Sequence, residues 1–158
     1  MIGNTSHSNE GDRLLLPLMA SVYRVIERPA YVLVRILAGV FFALHGAQKL
    51  FGWFGGNPAG ETAAFSNLGL EPAHLLMISS GWVELGAGLL MTIGFLTRPA
   101  AAAATVLLVV TIFVLWRNGF DWTHGGFEYS ALWAAACAMI CARGGATLSV
   151  DRAIGIEI

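Results

Sequence analysis

Charged side chains are scarce in this chain of 158 residues, of which 12% are charged and 56% are hydrophobic. Soluble domains carry about 25% charged residues, and the mean hydropathy here is +0.68. Such an apolar excess does not fit into one soluble core, because several runs approach the ~20 residues that cross a bilayer. The composition excludes an ordinary soluble domain and predicts one compact integral membrane domain in contact with lipid.

A surplus of positive charge is also missing. The formal net charge is −1, and no cluster of Lys and Arg forms the basic patch by which proteins bind nucleic acid. We therefore expect no nucleic-acid partner.

Cysteine and metal-binding motifs are equally rare. The two cysteines, Cys137 and Cys141, lie in an apolar run without Cys-x-x-Cys or zinc-ligand spacing, so we interpret them as packing residues rather than as a redox pair. His45, His74 and His124 fall toward one side of the predicted domain, but no haem or zinc motif accompanies them. We expect no metal site.

Four apolar segments are present, and each must be helical in lipid because backbone groups there have no water to bond. They cover residues 31–51, 73–95, 99–116 and 127–143. Pro99 suits the first position of a helix, so the second and third segments should form an antiparallel hairpin. The fourth would reach about 25 Å, less than the ~30 Å core. The predicted fold is an all-α, four-helix membrane bundle.

The positions of Lys and Arg predict the orientation of these segments. Basic residues precede the first segment, lie in the hairpin turn and follow the last segment, at Arg13, Arg24, Arg28, Arg98, Arg143 and Arg152. The intervening loops carry mainly acidic residues, so the positive-inside rule places both termini in the cytoplasm. We expect a cytoplasmic segment at residues 1–30 with an interfacial helix at 13–28, a membrane domain at 31–152 and a short tail at 153–158.

Ionisable side chains fall within or at the ends of the segments, although each costs roughly 2.5–3.5 kcal/mol to insert and usually faces a protein interior. They are Arg35, His45, Lys49, Glu84 and Glu128. On the first helix, His45, Gln48 and Lys49 share one face by their i, i+3, i+4 spacing. Counting from the ends of the segments, we predict that Glu84 pairs with His45 or Arg35 and that Glu128 pairs with Lys49. These pairs either lock helix packing or line a polar cavity.

Small and aromatic residues have simpler interpretations. The alanines from Ala100 to Ala104, together with Gly81, Gly86 and Gly88, should let neighbouring helices approach closely. An aromatic belt at the membrane interface is predicted at Trp53, Trp116 and Trp122.

Four stretches of the chain resemble, in order, the landmarks of the DoxX family. They are the run from Arg35 to Phe51, Glu84-Leu-Gly-Ala-Gly-Leu-Leu with Gly94-Phe-Leu-Thr-Arg, the stretch from Asn118 to Tyr129, and Ser149-Val-Asp151. The resemblance covers residues 31–152. It implies a small four-helix protein of the bacterial inner membrane, in a family named after a subunit of thiosulfate:quinone oxidoreductase. No thiosulfate-specific signature is visible, so that substrate is not implied.

The resemblance and the membrane charges together give three functional hypotheses. The first is an accessory subunit of a membrane redox complex that binds a quinone, with Glu84 and His45 exchanging protons and Arg35, Gln48, Lys49 and Glu128 binding the ligand. Electrons would come from a partner subunit, because the chain has no ligation pattern for a metal centre or flavin. The second is a solute or proton carrier, which would form a homo-oligomer because four spans are few for a transporter. The third is a structural anchor for a partner subunit.

Overall fold

Helices form all the regular structure of residues 19–156, the part of the chain that the computed structural model describes. They are α1 (Met19–Phe51), α2 (Pro58–Asn67), α3 (Ala73–Ile93), α4 (Thr97–Leu115), α5 (Glu128–Arg143) and α6 (Val150–Ile154). Three stretches, Val22–Phe51, Ala73–Ile93 and Thr97–Asn118, are long and apolar enough to cross a membrane. The predicted all-helical membrane fold is confirmed. Helix α5 has 16 residues, or about 24 Å, so the fourth span remains a prediction.

Helix α1 is longer than the predicted first span. It has 33 residues and continues through Pro29, so residues 19–28 extend this helix and do not form a separate interfacial one. Residues 13–18 of that prediction lie outside the described part of the chain. A proline inside a helix leaves one carbonyl without its partner. The helix tolerates this because residues 22–30 are exposed, where the carbonyl can bond elsewhere.

Helices α3 and α4 form the predicted antiparallel hairpin. Gly94 ends α3 in the left-handed conformation at φ 71°, and α4 begins at Thr97. Pro99 is therefore the third residue of the helix, not the first as predicted. Proline still fits there, because the N–H groups of the first turn have no hydrogen-bond partner within a helix.

Helices α1 and α3 touch through their backbones. A Cβ atom at Gly88 would lie 2.3 Å from the backbone nitrogen of Ala43, and one at Gly46 would lie 2.4 Å from the backbone of α3. At Gly81 it would meet a leucine side chain at 3.0 Å, whereas at Gly86 it would meet nothing within 4 Å. The predicted close approach is confirmed at Gly81 and Gly88 and is wrong at Gly86.

Alanines fill the contact between α4 and α5. Ala100, Ala101 and Ala104 are buried with Cys137 and Ile140 in one hydrophobic core, as their small size predicted. Cys137 and Cys141 are both free thiols, the first buried and the second half-buried. Their position in this core agrees with a packing role.

The two ends of the bundle differ. Residues 52–72 and 116–127 form what we call the long-loop end, whereas residues 94–97 and 144–156 form the short-turn end. Trp53, Trp116 and Trp122 all lie at the long-loop end and are exposed. This is the arrangement that an interfacial aromatic belt requires.

The glycine contact predicts unequal effects of two neighbouring substitutions. Gly88→Ala should destabilise the protein by about 1–3 kcal/mol, because its methyl group would push α1 from α3. Gly86→Ala is the matched control, which should be neutral or slightly stabilising since open space surrounds it. Thermal unfolding of both variants in the same detergent measures the difference. Equal melting temperatures would contradict the close contact.

Candidate functional site

An ion pair between α1 and α3 is the centre of the candidate site. The Nζ atom of Lys49 lies 2.6 Å from Oε1 of Glu84, and the two side chains are 17% and 10% exposed. The second oxygen, Oε2 of Glu84, is buried without a hydrogen-bond partner among the described residues. The predicted pairings of Glu84 with His45 or Arg35, and of Lys49 with Glu128, are therefore wrong.

The register between α1 and α3 explains this pairing. Gly88 lies against Ala43, so Glu84, about one turn earlier in α3, comes level with the region of Lys49 in the antiparallel helix. The sequence prediction had aligned the end of the first span with the start of the second. In the structure α3 begins about two turns, or ~10 Å, beyond the end of α1, which moves Glu84 toward the long-loop end.

A large apolar cavity of about 440 Å³ lies on one side of the ion pair. Most of its wall comes from α2, α3 and α4, through residues such as Phe65, Leu76, Val83, Val110 and Val114, with Lys49 and Glu84 contributing charged groups. Val83 and Val110 line the cavity and are also 38% and 52% exposed. The cavity therefore opens between α3 and α4 on the apolar outer surface of the helices.

A smaller cavity of about 160 Å³ lies between α1, α4 and α5. His45 lines it, together with polar side chains of α5 at Tyr129 and Ser130. Three residues, Lys49, Glu84 and Thr111, line both cavities. The ion pair thus belongs to the wall between a large apolar space and a smaller one with a mixed lining.

Two other predicted ligand-binding residues lie outside both cavities. The side-chain amide of Gln48 donates a hydrogen bond of 3.2 Å to the carbonyl of Phe54, in the turn that follows α1. Glu128 begins α5 as predicted, but it makes no ion pair within residues 19–156. Neither residue contributes to the candidate site.

Arg35 lies at the opposite end of the bundle, about 21 Å along α1 from Lys49. It is 1% exposed and donates hydrogen bonds to the carbonyls of Gly145 and Leu148 in the segment after α5. These contacts are with protein backbone, and Arg35 lines neither cavity beside the ion pair, so its role in ligand binding stays a prediction. Its guanidinium instead fixes the chain at the short-turn end.

Asp151 completes this structural cluster. Its carboxylate accepts hydrogen bonds from the backbone amides of Leu96 and Thr97 and from the Thr97 hydroxyl, so it caps the first turn of α4. Burial would raise the pKa of Asp151, but the bonds from Thr97 and Leu96 and the charge of Arg35 outweigh it, and the pKa lies below its ordinary value. The sequence analysis noted Asp151 as a family landmark but missed its contact with the hairpin turn.

The sequence analysis also missed uncharged members of the site. Thr111 lines both cavities, and Ser130 and Tyr129 line the smaller one. A search for costly charges does not select hydroxyl groups, because a serine or threonine in a helix can bond its own backbone. These residues lie at the same depth along the bundle as Lys49 and Glu84, and that shared depth is the signal that would have identified them.

The chemistry available to this site is that of a lysine, a carboxylate and an imidazole beside an apolar space. Within residues 19–156, no three His, Cys, Asp or Glu side chains stand close enough together to hold a metal ion. An ammonium group can donate to an oxygen of a ligand, and a carboxylate with a free oxygen can take or give a proton. Both residues line the large cavity.

Comparisons with known proteins give one positive result. The sequence profile of the family described as DoxX matches residues 30–117, more than half of the chain. This region contains Arg35, Lys49 and Glu84 but ends before α5. No curated protein matches the chain, and no solved structure does.

The ion pair predicts non-additive effects on stability. Lys49→Met should cost about 3–5 kcal/mol, because it leaves the buried Glu84 carboxylate without its partner. Adding Glu84→Gln to that variant should recover much of the loss, since the isolated charge is then gone. Unfolding of both single variants and the double variant in detergent measures this coupling.

His45→Ala is the control for the pairing. It should show little coupling with Glu84→Gln, because Lys49 is the group bonded to Glu84. Additive effects of Lys49→Met and Glu84→Gln, with strong coupling at His45 instead, would contradict the observed pair.

Proposed function

The chain belongs to the DoxX family of membrane proteins, and we propose that it is an accessory subunit of a membrane redox complex that binds a quinone. The observation that carries the proposal is a buried ion pair, with one free carboxylate oxygen, facing a large apolar cavity. A lipophilic molecule with a polar head group has complementary chemistry. The same reasoning holds for similar small lipophilic molecules.

The size and position of the large cavity support this ligand class. Its volume of about 440 Å³ lies within the ~300–1,000 Å³ of small-molecule sites. The exposed rim residues Val83 and Val110 place the opening where an isoprenoid tail would leave toward lipid. One oxygen of Glu84 has no hydrogen-bond partner among residues 19–156. This unpaired polar atom favours a ligand with a polar head group over a purely apolar one.

The residues of the site have separate roles in this proposal. Lys49 donates from its ammonium group to a head-group oxygen and stabilises negative charge there. Glu84 takes or gives a proton at Oε2, and His45 relays protons to it. A bound quinone would supply two-electron, two-proton chemistry, with the electrons coming from a partner subunit. Arg35, Gln48 and Glu128 have no part in this set.

A purely structural anchor accounts for less of the observed geometry. Replacing a buried ion pair by apolar residues is often neutral or stabilising, so helix packing alone gives little reason for Lys49 and Glu84. Packing also gives no reason for a cavity on each side of the pair. The ligand-binding proposal accounts for both features.

We further propose that α5 is a fourth span, with both termini in the cytoplasm of a bacterial cell. Near the long-loop end, Trp133 of α5 packs on Phe41 of α1 with ring centroids 6.0 Å apart. Near the short-turn end, Arg143 of α5 bonds Glu27 of α1 at 3.0 Å. Helix α5 therefore contacts α1 at two levels of the bundle while its core residues pack on α4, and its short length can be met by local thinning of the bilayer.

Reporter fusions test this topology. A fluorescent protein fused after Ile158 should be fluorescent, and alkaline phosphatase fused at the same place should be inactive, because both report a cytoplasmic end. Alkaline phosphatase inserted at Gly69, in the long-loop end, is the matched control and should be active. An active phosphatase after Ile158 would eliminate the four-span arrangement.

Quinone content tests the proposed ligand. Organic extraction of protein purified in mild detergent should give near-stoichiometric quinone for the native chain. Glu84→Gln and Lys49→Met should each lower it by about tenfold, since a charge-assisted hydrogen bond contributes roughly 1.5–3 kcal/mol. Val110→Trp, at the rim of the cavity, should lower it without touching the ion pair.

Glu128→Gln is the control, because it makes the same chemical change outside both cavities and should keep the native quinone content. A folded native sample with no quinone above the lipid background would refute the proposed ligand and favour the carrier or anchor hypothesis.

A further inference from the structure

The Glu84 carboxylate can be reached from two directions that differ in polarity. The large cavity opens on the apolar surface between α3 and α4, where lipid supplies no protons. The smaller cavity reaches the same residue from between α1 and α5. A carboxylate that exchanges protons with a ligand in the large cavity therefore needs the smaller cavity, or another polar route, to exchange them with water.

The smaller cavity has a partly polar lining and room for water, although Phe41, Phe42, Leu108 and Trp133 also form its wall. His45, Thr111, Tyr129 and Ser130 bring polar groups to its wall beside the ion pair. Ser130 is 92% buried, since its exposure is 8%. At about 160 Å³ the cavity has room for several water molecules, each of which needs about 30 Å³ and two to four polar partners.

The mouth of the smaller cavity lies at the long-loop end. His45 and Tyr129 line the cavity and are both exposed. Tyr129 is the second residue of α5, and its ring lies 6.4 Å from that of Trp122 in the preceding loop. Because Tyr129 lies in the first turn of α5, this edge of the cavity is near the long-loop end.

We propose that the smaller cavity is a hydrated proton passage from the long-loop end to Glu84, with His45 at its mouth. The charged or titratable groups that face it are His45 and Lys49 from α1, Glu84 from α3 and Tyr129 from α5, while α4 contributes Leu108 and Thr111. Transfer of the proton from Glu84 to a ligand rests on the proposed quinone site. The existence of the passage does not depend on that site.

The transfer along this passage is a proton exchange without oxidation. The imidazolium of His45 loses an N–H proton to water in the cavity and becomes neutral. The water chain passes a proton to the Glu84 carboxylate, where an O–H bond forms and the carboxylate becomes a neutral acid. Lys49 keeps its three protons and its bond to Oε1. A proton delivered in this way is then available on the side of the large cavity.

Cysteine accessibility tests whether the passage holds water. In a chain carrying Cys137→Ala and Cys141→Ala, Ser130→Cys should react with a charged, water-soluble methanethiosulfonate reagent about tenfold or more faster than Ala134→Cys, because the reacting thiolate forms in water. Ala134 is the matched control, since it is one turn further along the same face of α5, is also 8% exposed, and lies in the hydrophobic core. Adding His45→Trp at the mouth should slow the reaction of Ser130→Cys.

Infrared spectroscopy tests whether the passage serves Glu84. After a rapid drop in pH, the spectrum of the native protein minus that of Glu84→Gln should show the carbonyl band of one protonated acid, because the other carboxyl groups are common to both proteins. Ser130→Leu, which fills the passage, should slow its appearance several-fold.

The outcomes separate the two proposals. A reactive Ser130→Cys in a protein without quinone would support the passage and refute the quinone site. Bound quinone with Ser130→Cys no more reactive than Ala134→Cys would refute the passage and leave the quinone site. Ser130→Leu that folds but leaves the infrared rate unchanged would also refute it.

Discussion

Direct backbone contact between α1 and α3 determines where the charged groups meet. Side chains at Gly46 or Gly88 would prevent that contact, and small residues are the usual means of close helix packing in lipid. The contact fixes the register of the two helices, and the register brings Lys49 to Glu84. Since an unpaired charge in a membrane interior is costly, the register and the ion pair support each other.

The two ends of the bundle divide structure from the candidate site. At the short-turn end, Arg35 ties the segment after α5 to α1, and Asp151 ties the same segment to the hairpin turn. At the long-loop end, α3 and α4 separate around the large cavity, and α1 and α5 separate around the smaller one. These hydrogen bonds fix the helices at the short-turn end. The cavities at the long-loop end can therefore be present while α1 and α3 keep their register.

Sequence alone predicted the helices, the family and the importance of Arg35, Lys49 and Glu84, because the cost of charge in lipid selects such residues from composition and position. It did not predict their partners. Pairing depends on how far α3 extends beyond the end of α1. This offset of about 10 Å follows from the contacts of the glycines between the two helices, and the start and end of each predicted span do not give it. Arg35 was misplaced for a related reason, since its partners Gly145 and Leu148 are backbone carbonyls in a segment after the last span.

The position of the ion pair between two unlike spaces explains why a charged pair is present at all. Apolar residues would pack α1 against α3 at least as stably as Lys49 and Glu84, so stability does not account for them. The carboxylate lies in the wall that the two cavities share, with one oxygen bonded to Lys49 and the other buried without a partner among residues 19–156. Lys49 prevents the carboxylate from becoming an isolated charge when it releases its proton. The pair therefore holds a carboxylate at a fixed position between the two cavities, which is the geometry that the proposed proton-exchanging site needs.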